Sequence, residues 1–196
     1  MRALPVASRM LVIAAAQVCV CTAGELTIAV FNLSGAPHSV MVHALDTARH
    51  AFLAGRIDTR WVLCDDTACL SALPADYLEL FVMPRLRAPL QPGDTAHRLI
   101  DRGAGKPAGY AMPQGFAHPR AYAFFDAATI VSETTVRDLS LVLGCILTHE
   151  AGHLLGLTHQ SRGIMRPNLQ PEDMDALAMG RAFSLQETAQ LRARTK

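Results

Sequence analysis

His149, Glu150 and His153 stand in the spacing His-Glu-x-x-His, and Gly156 and His159 follow at three and six residues beyond His153. On a helix of about 3.6 residues per turn, His149 and His153 lie one turn apart on the same face. Their imidazoles can therefore converge on one metal ion, with Glu150 beside them. Gly156 falls two turns after His149, where a helix can end if a residue accepts a left-handed backbone. The chain can then swing back and bring His159 in from outside the helix. Three neutral nitrogens with one position left open is the arrangement of a catalytic zinc, whereas a structural zinc closes its fourth position with another side chain.

A lone His-Glu-x-x-His is a weak signal, because histidines also cap and solvate surface helices. Here it extends without substitution to H-E-x-x-H-x-x-G-x-x-H, and Ser161-Arg162-Gly163-Ile164-Met165-Arg166-Pro167 follows one residue later. This stretch resembles the metzincin zinc peptidases. The Gly-Ile-Met-x-Pro run resembles the matrixin version, with Met165 as the Met-turn residue, a soft apolar plug beneath the histidines and not a ligand. The resemblance implies an α+β, zincin-like catalytic domain. It would have a twisted, mostly parallel sheet with an antiparallel edge strand, an active-site helix, the Met-turn and a C-terminal helix.

The same resemblance implies a metalloendopeptidase with one catalytic Zn2+ held by His149, His153 and His159. A zinc-activated water would lose its proton to Glu150 as general base, and Glu150 would pass that proton to the leaving amine. The partner would be a peptide or protein lying extended against an edge strand, supplied by part of the segment from Tyr110 to Phe125. Two other classes stay open: a zinc hydrolase of a non-peptide amide, and a catalytically silent zinc-binding module. The intact Glu150 argues against the second. Matrixins also hold structural zinc and calcium before the active-site helix. Asp94, His97, Asp101, His118 and Asp126 are candidates by position, but no ligand spacing sets them apart from ordinary loop residues, so Ca2+ is not supported.

The elements that must position this site can be read in outline. The 196 residues suffice for one domain with a core, with 51% hydrophobic and 6% aromatic residues and a net charge of +1. No basic run suggests nucleic acid. Arg2 and Arg9, the uncharged apolar stretch Met10 to Val20, and Cys21-Thr22-Ala23 read as a secretory signal peptide over residues 1–23. An uncleaved anchor or a lipoprotein is the alternative. Cleavage leaves a domain over 24–196 with no stable membrane span, expected outside the cytoplasm as a secreted or periplasmic monomer. Cys64 and Cys69 bracket a polar turn that a disulfide could close there, while Cys145 reads as a buried core residue.

Hydrophobic patterning predicts strands at Leu26–Phe31, Thr59–Cys64, Tyr77–Met83, about Gly109–Met112 and Arg120–Val131, and a helix over His38–Ala54. His38, His43 and His50 lie in or beside that helix; a second metal site would need an i, i+4 pair that their spacings of five and seven do not form, and they read as surface or helix-packing residues. The central helix is expected to begin at Thr134 or Thr135 with Asp138 in its first turn. A short helix should open at Pro171-Glu172-Asp173, and Ser184-Leu185-Gln186-Glu187 is a capping box for a last helix from Leu185 to about Ala193.

Overall fold

The apolar run after Glu25 forms β1 (Leu26–Asn32), and the turn through Gly35 delivers the chain into α1 (His38–Ala54). The structure, a computed structural model, describes residues 25–85, 95–98, 107–112 and 116–195. The expected signal peptide, Asp94 and Asp101 lie outside those residues. β2 (Thr59–Cys64), α2 (Thr67–Ser71), β3 (Tyr77–Met83), β4 (Thr95–Arg98), β5 (Pro107–Met112) and β6 (Arg120–Phe124) follow. Four helices complete the chain: α3 (Phe125–Thr135), α4 (Leu139–Leu154), α5 (Pro171–Ala178) and α6 (Leu185–Arg194).

Among the described residues the strands form one sheet of order β2-β1-β3-β6-β5-β4. β2, β1, β3 and β6 pair in parallel, while β5 runs antiparallel to both neighbours. The mostly parallel sheet of the sequence reading is present. Its antiparallel strand, however, is not at the edge, because β4 pairs along the outer side of β5. Among the described residues β5 is hydrogen-bonded on both sides, by β4 and by β6.

One face of the sheet, with Ile28, Val30, Leu80, Val82, Ala121 and Ala123, is buried against α1 and α4. The helices contribute Met41, Ala44, Ala48 and Phe52 from α1 and Val142, Leu143, Ile146 and Leu147 from α4. Burial of these side chains is the main force holding α4 beneath the sheet, at roughly 25 cal/mol per Å² of apolar surface. From Val142 to Leu154 every residue of α4 is buried, so it is a central helix with no solvent face along that length. On the opposite sheet face, Phe31, Phe81, Tyr122 and Tyr110 are cross-strand neighbours and stack in a row.

Two sequence readings are corrected around α4. Arg120–Val131 is a strand only to Phe124; α3 begins at Phe125, where the Asp126 N–H donates to the carbonyl of Pro84 at 3.1 Å. Thr134 and Thr135 end α3 and do not cap α4, since both hydroxyls donate back to the carbonyl of Val131. Val136 then takes a left-handed conformation (φ 53°), and Asp138 is itself the N-cap, accepting from the N–H groups of Ser140 and Leu141. Cys64 and Cys69 are disulfide-bonded around the start of α2, which Asp66 caps, and Cys145 is buried. No helix among the described residues is long and apolar enough to cross a membrane.

Candidate metal centre

α4 ends one turn after His149, and its end is what assembles the site. Gly156 adopts φ +83°, its N–H donates to His153 O, and the Leu157 N–H reaches back to Gly152 O, both at 2.9 Å. This is a Schellman turn, in which a left-handed residue satisfies the last helical carbonyls. It also points the Leu157 carbonyl at the His153 ring, whose Nδ1 donates to it at 2.8 Å. The chain then leaves the helix and returns: the Gln160 N–H donates to Met165 O at 2.9 Å, which closes the loop carrying His159.

The second imidazole is oriented from that returning loop. His149 Nδ1 donates to the carbonyl of Ile164 at 2.5 Å. With both Nδ1 atoms engaged as donors, the two neutral rings carry their lone pairs on Nε2. Those Nε2 atoms face each other at 3.1 Å. Two acceptors at this distance repel unless a cation lies between them, and metal-bound histidines are characteristically fixed by such Nδ1 bonds to carbonyls. His159 joins them, with ring centroids 5.6 Å from His149 and 4.9 Å from His153. The ligand atoms of all three lie within 4.8 Å of one another, and no other such group of three occurs among the described residues. The donor set fits one zinc ion, whose Zn–N bonds are about 2.0–2.1 Å.

Electrostatics agree with that fit. Burial, reinforced by its neighbour His153, lowers the pKa of His149 to about 3, and burial lowers that of His153 to about 4. Burial lowers the pKa of His159 too. All three rings are therefore neutral near pH 7, the form that binds a metal. Glu150 is 1% exposed, and burial raises its carboxyl well above the usual carboxylate range. Its carboxylate lies against β5: a Cβ built on Gly109 would overlap Oε1 and stand 2.8 Å from Cδ. Met165 is fully buried, and its Sδ sits 2.7 Å from where a Cβ on Gly152 would be, so the sulfur fills the space that this glycine leaves under α4.

The structure thus brings together His149, His153, His159, Glu150 and Met165. It leaves His38, His43, His50 and His118 apart. His38 and His50 are exposed, 3.5 Å from Asp65 and 3.2 Å from Asp46, and His43 is exposed on α1. His118 stacks on Tyr77 at 4.0 Å, and Asp126 accepts the Ala127 N–H at the start of α3. Neither joins a ligand cluster among the described residues.

Two residues escaped the sequence reading. Gly109 reads there only as the start of a short strand, and nothing in one sequence marks it as the strand position facing Glu150. Asp173 is 5% exposed and accepts from the N–H groups of Gly163 and Gln170, each at 3.0 Å, while Arg166 Nε lies 3.2 Å away. One carboxylate thereby closes both ends of the loop bearing Ile164 and Met165. Its place at the third position of α5, after Gln170, was a legible capping signal.

No family model matches the sequence, and no curated protein matches it. Solved structures do. A zinc-dependent peptidase from Methanocorpusculum labreanum is 18% identical, covers 84% of this chain and 99% of its own, and superposes with a TM-score of 0.52. Archaemetzincin from Methanopyrus kandleri is 15% identical, with 87% and 95% covered and a TM-score of 0.49. The first of these likenesses shows that the chain shares the fold of that structure.

Proposed function

We propose that the protein is a secreted zinc-dependent endopeptidase of metzincin type, with His149, His153 and His159 as ligands and Glu150 as general base. One observation carries the reading: two imidazoles fixed through Nδ1 present Nε2 atoms 3.1 Å apart beside a third histidine, with a buried carboxylate on the adjoining residue. Surface histidines have no reason to be buried, oriented and opposed in this way. The solved structure with the higher TM-score is a zinc-dependent peptidase, which supports the same chemistry.

Bound zinc would polarise the scissile carbonyl and bring the pKa of a water toward about 7. The chain's own residues do the rest. The carbonyls of Ile164 and Leu157 hold the two rings in the tautomer that leaves Nε2 available. Glu150 takes a proton onto its carboxylate from the attacking water and returns it to the leaving nitrogen. Met165 acts as the Met-turn residue, in the Gly163-Ile164-Met165-x-Pro167 run that resembles the matrixins, and keeps the floor of the site apolar. An extended peptide would approach along the β5–β4 side of the sheet, the side nearest Glu150. The Cys64–Cys69 disulfide favours an oxidising compartment and so export. The chain would act as a monomer, with no nucleic-acid partner.

A mixed peptide pool incubated with the zinc-loaded protein, read by mass spectrometry beside Glu150→Ala, tests this. Internal cleavage by the parent alone, with equal zinc in both, is expected. Equal cleavage by both would remove Glu150 from the mechanism. No cleavage by either would turn the reading toward a non-peptide amide or a binding role.

A further inference from the structure

We propose that Gly109 is a positioning residue: the bare backbone of β5 at this point forms the wall against which the Glu150 carboxylate is seated. The inference rests on the reading of Glu150 as the base. Glu150 rises from α4 toward the underside of β5, and the two meet at Gly109. A Cβ there would overlap Oε1, lie 2.8 Å from Cδ and stand 2.6 Å from the carbonyl oxygen of Tyr122. Real Cβ atoms do not tolerate such approaches, so a side chain at 109 must displace something.

The strand is poorly placed to give way. β5 is registered on β6 through Gly109↔Ala123, Tyr110↔Tyr122 and Ala111↔Ala121, and Tyr110 stacks on Tyr122 at 4.6 Å. Ala108 and Ala111 on either side are 1% and 2% exposed, so β5 cannot lift without opening the core. The side chain of Glu150, with its rotatable bonds, is the part that moves most easily, while the contact with the Tyr122 carbonyl oxygen at 2.6 Å adds a backbone cost that does not depend on Glu150. A methyl group at 109 therefore pushes the carboxylate off its wall while leaving His149, His153 and His159 where they are. Glycine here sets the position of the base and not the affinity for metal.

Gly109→Ala, Glu150→Asp and the double variant of the full chain test this, with thermal midpoints, zinc titration and peptide hydrolysis as readouts. Glu150→Asp shortens the side chain by one methylene and vacates the space the new methyl needs. The Tm loss caused by Gly109→Ala is expected to shrink by at least about half in the Glu150→Asp background, as coupled neighbours require. The remainder reflects Tyr122, which is the same in both. Zinc affinity of Gly109→Ala should stay within about threefold of the parent. Its kcat should fall about 100-fold with KM little changed, the scale of a 1 Å misplacement. An equal Tm loss in both backgrounds overturns the proposal, as does a double variant that fails to fold alongside a folded Glu150→Asp. Loss of zinc in Gly109→Ala overturns it as well. Should the parent itself hydrolyse no peptide, the functional reading fails, and the stability comparison still decides whether Gly109 seats Glu150.

Discussion

Gly156 sits at the point where a backbone choice becomes a metal ligand. Its φ of +83° closes the turn that aims Leu157 O at His153 Nδ1, and the Arg194 guanidinium lies 3.1 Å from where a Cβ would stand. Gly156→Ala forces an L-residue into the left-handed region, at a cost of about 1–2 kcal/mol. It also disturbs a carbonyl that orients a ligand, so zinc affinity should fall about tenfold; chelator competition measures this. Met165→Ala should instead destabilise by about 2–5 kcal/mol through the cavity it leaves, measurable by denaturant unfolding. At this scale the sequence was most informative, since ligand spacing, Gly156 and Met165 are local features. Gly109 was not legible as a site residue, because the Glu150 carboxylate it meets arrives from a distant part of the chain, whereas Asp173 showed only its helix-capping role and not its hold on the loop bearing Met165.

At the scale of elements, α4 carries the site and Asp138 starts it. Hydrogen bonds from Ser140, above all its hydroxyl, hold the Asp138 carboxyl below the usual carboxylate range. A depressed folded pKa contributes stability above the unfolded value near 3.9, and that contribution is lost as pH falls through the folded value. Asp138→Ala should therefore cost about 1 kcal/mol at pH 7, converge with the parent in strong acid, and leave zinc affinity unchanged. Equilibrium unfolding at several pH values measures the difference. The sequence reading misplaced this start because Thr134, Thr135 and Asp138 are all plausible caps. The left-handed turn at Val136, a residue that rarely adopts it, decided the matter. The aromatic and β-branched run from Arg120 likewise hid a strand-to-helix switch. Helix α1 was legible from its apolar period, and α5 and α6 from the signals at their N-termini. β4 was not, being four residues long and defined by its pairing with β5.

At the scale of the molecule, the sheet divides its work between its two sides. β5 brings Gly109 to Glu150, while β2, at the opposite edge, carries Cys64 of the disulfide. Opening that bridge should lower stability by about 2 kcal/mol, since a short loop gains least from closure, without altering zinc affinity. Unfolding of Cys64→Ser/Cys69→Ser beside the parent measures it. The overall order of elements was readable because most strands and helices follow one another with strong patterning. The pairing order was not, since strand neighbours are chosen by packing on α1 and α4. The central claim is that three histidines at the end of α4 form one zinc centre, and zinc stoichiometry tests it most directly. The account predicts one tightly bound zinc per chain in the parent and in Glu150→Ala, and its loss in His153→Ala. A parent that binds no zinc, or a His153→Ala variant that binds it as tightly, would contradict it.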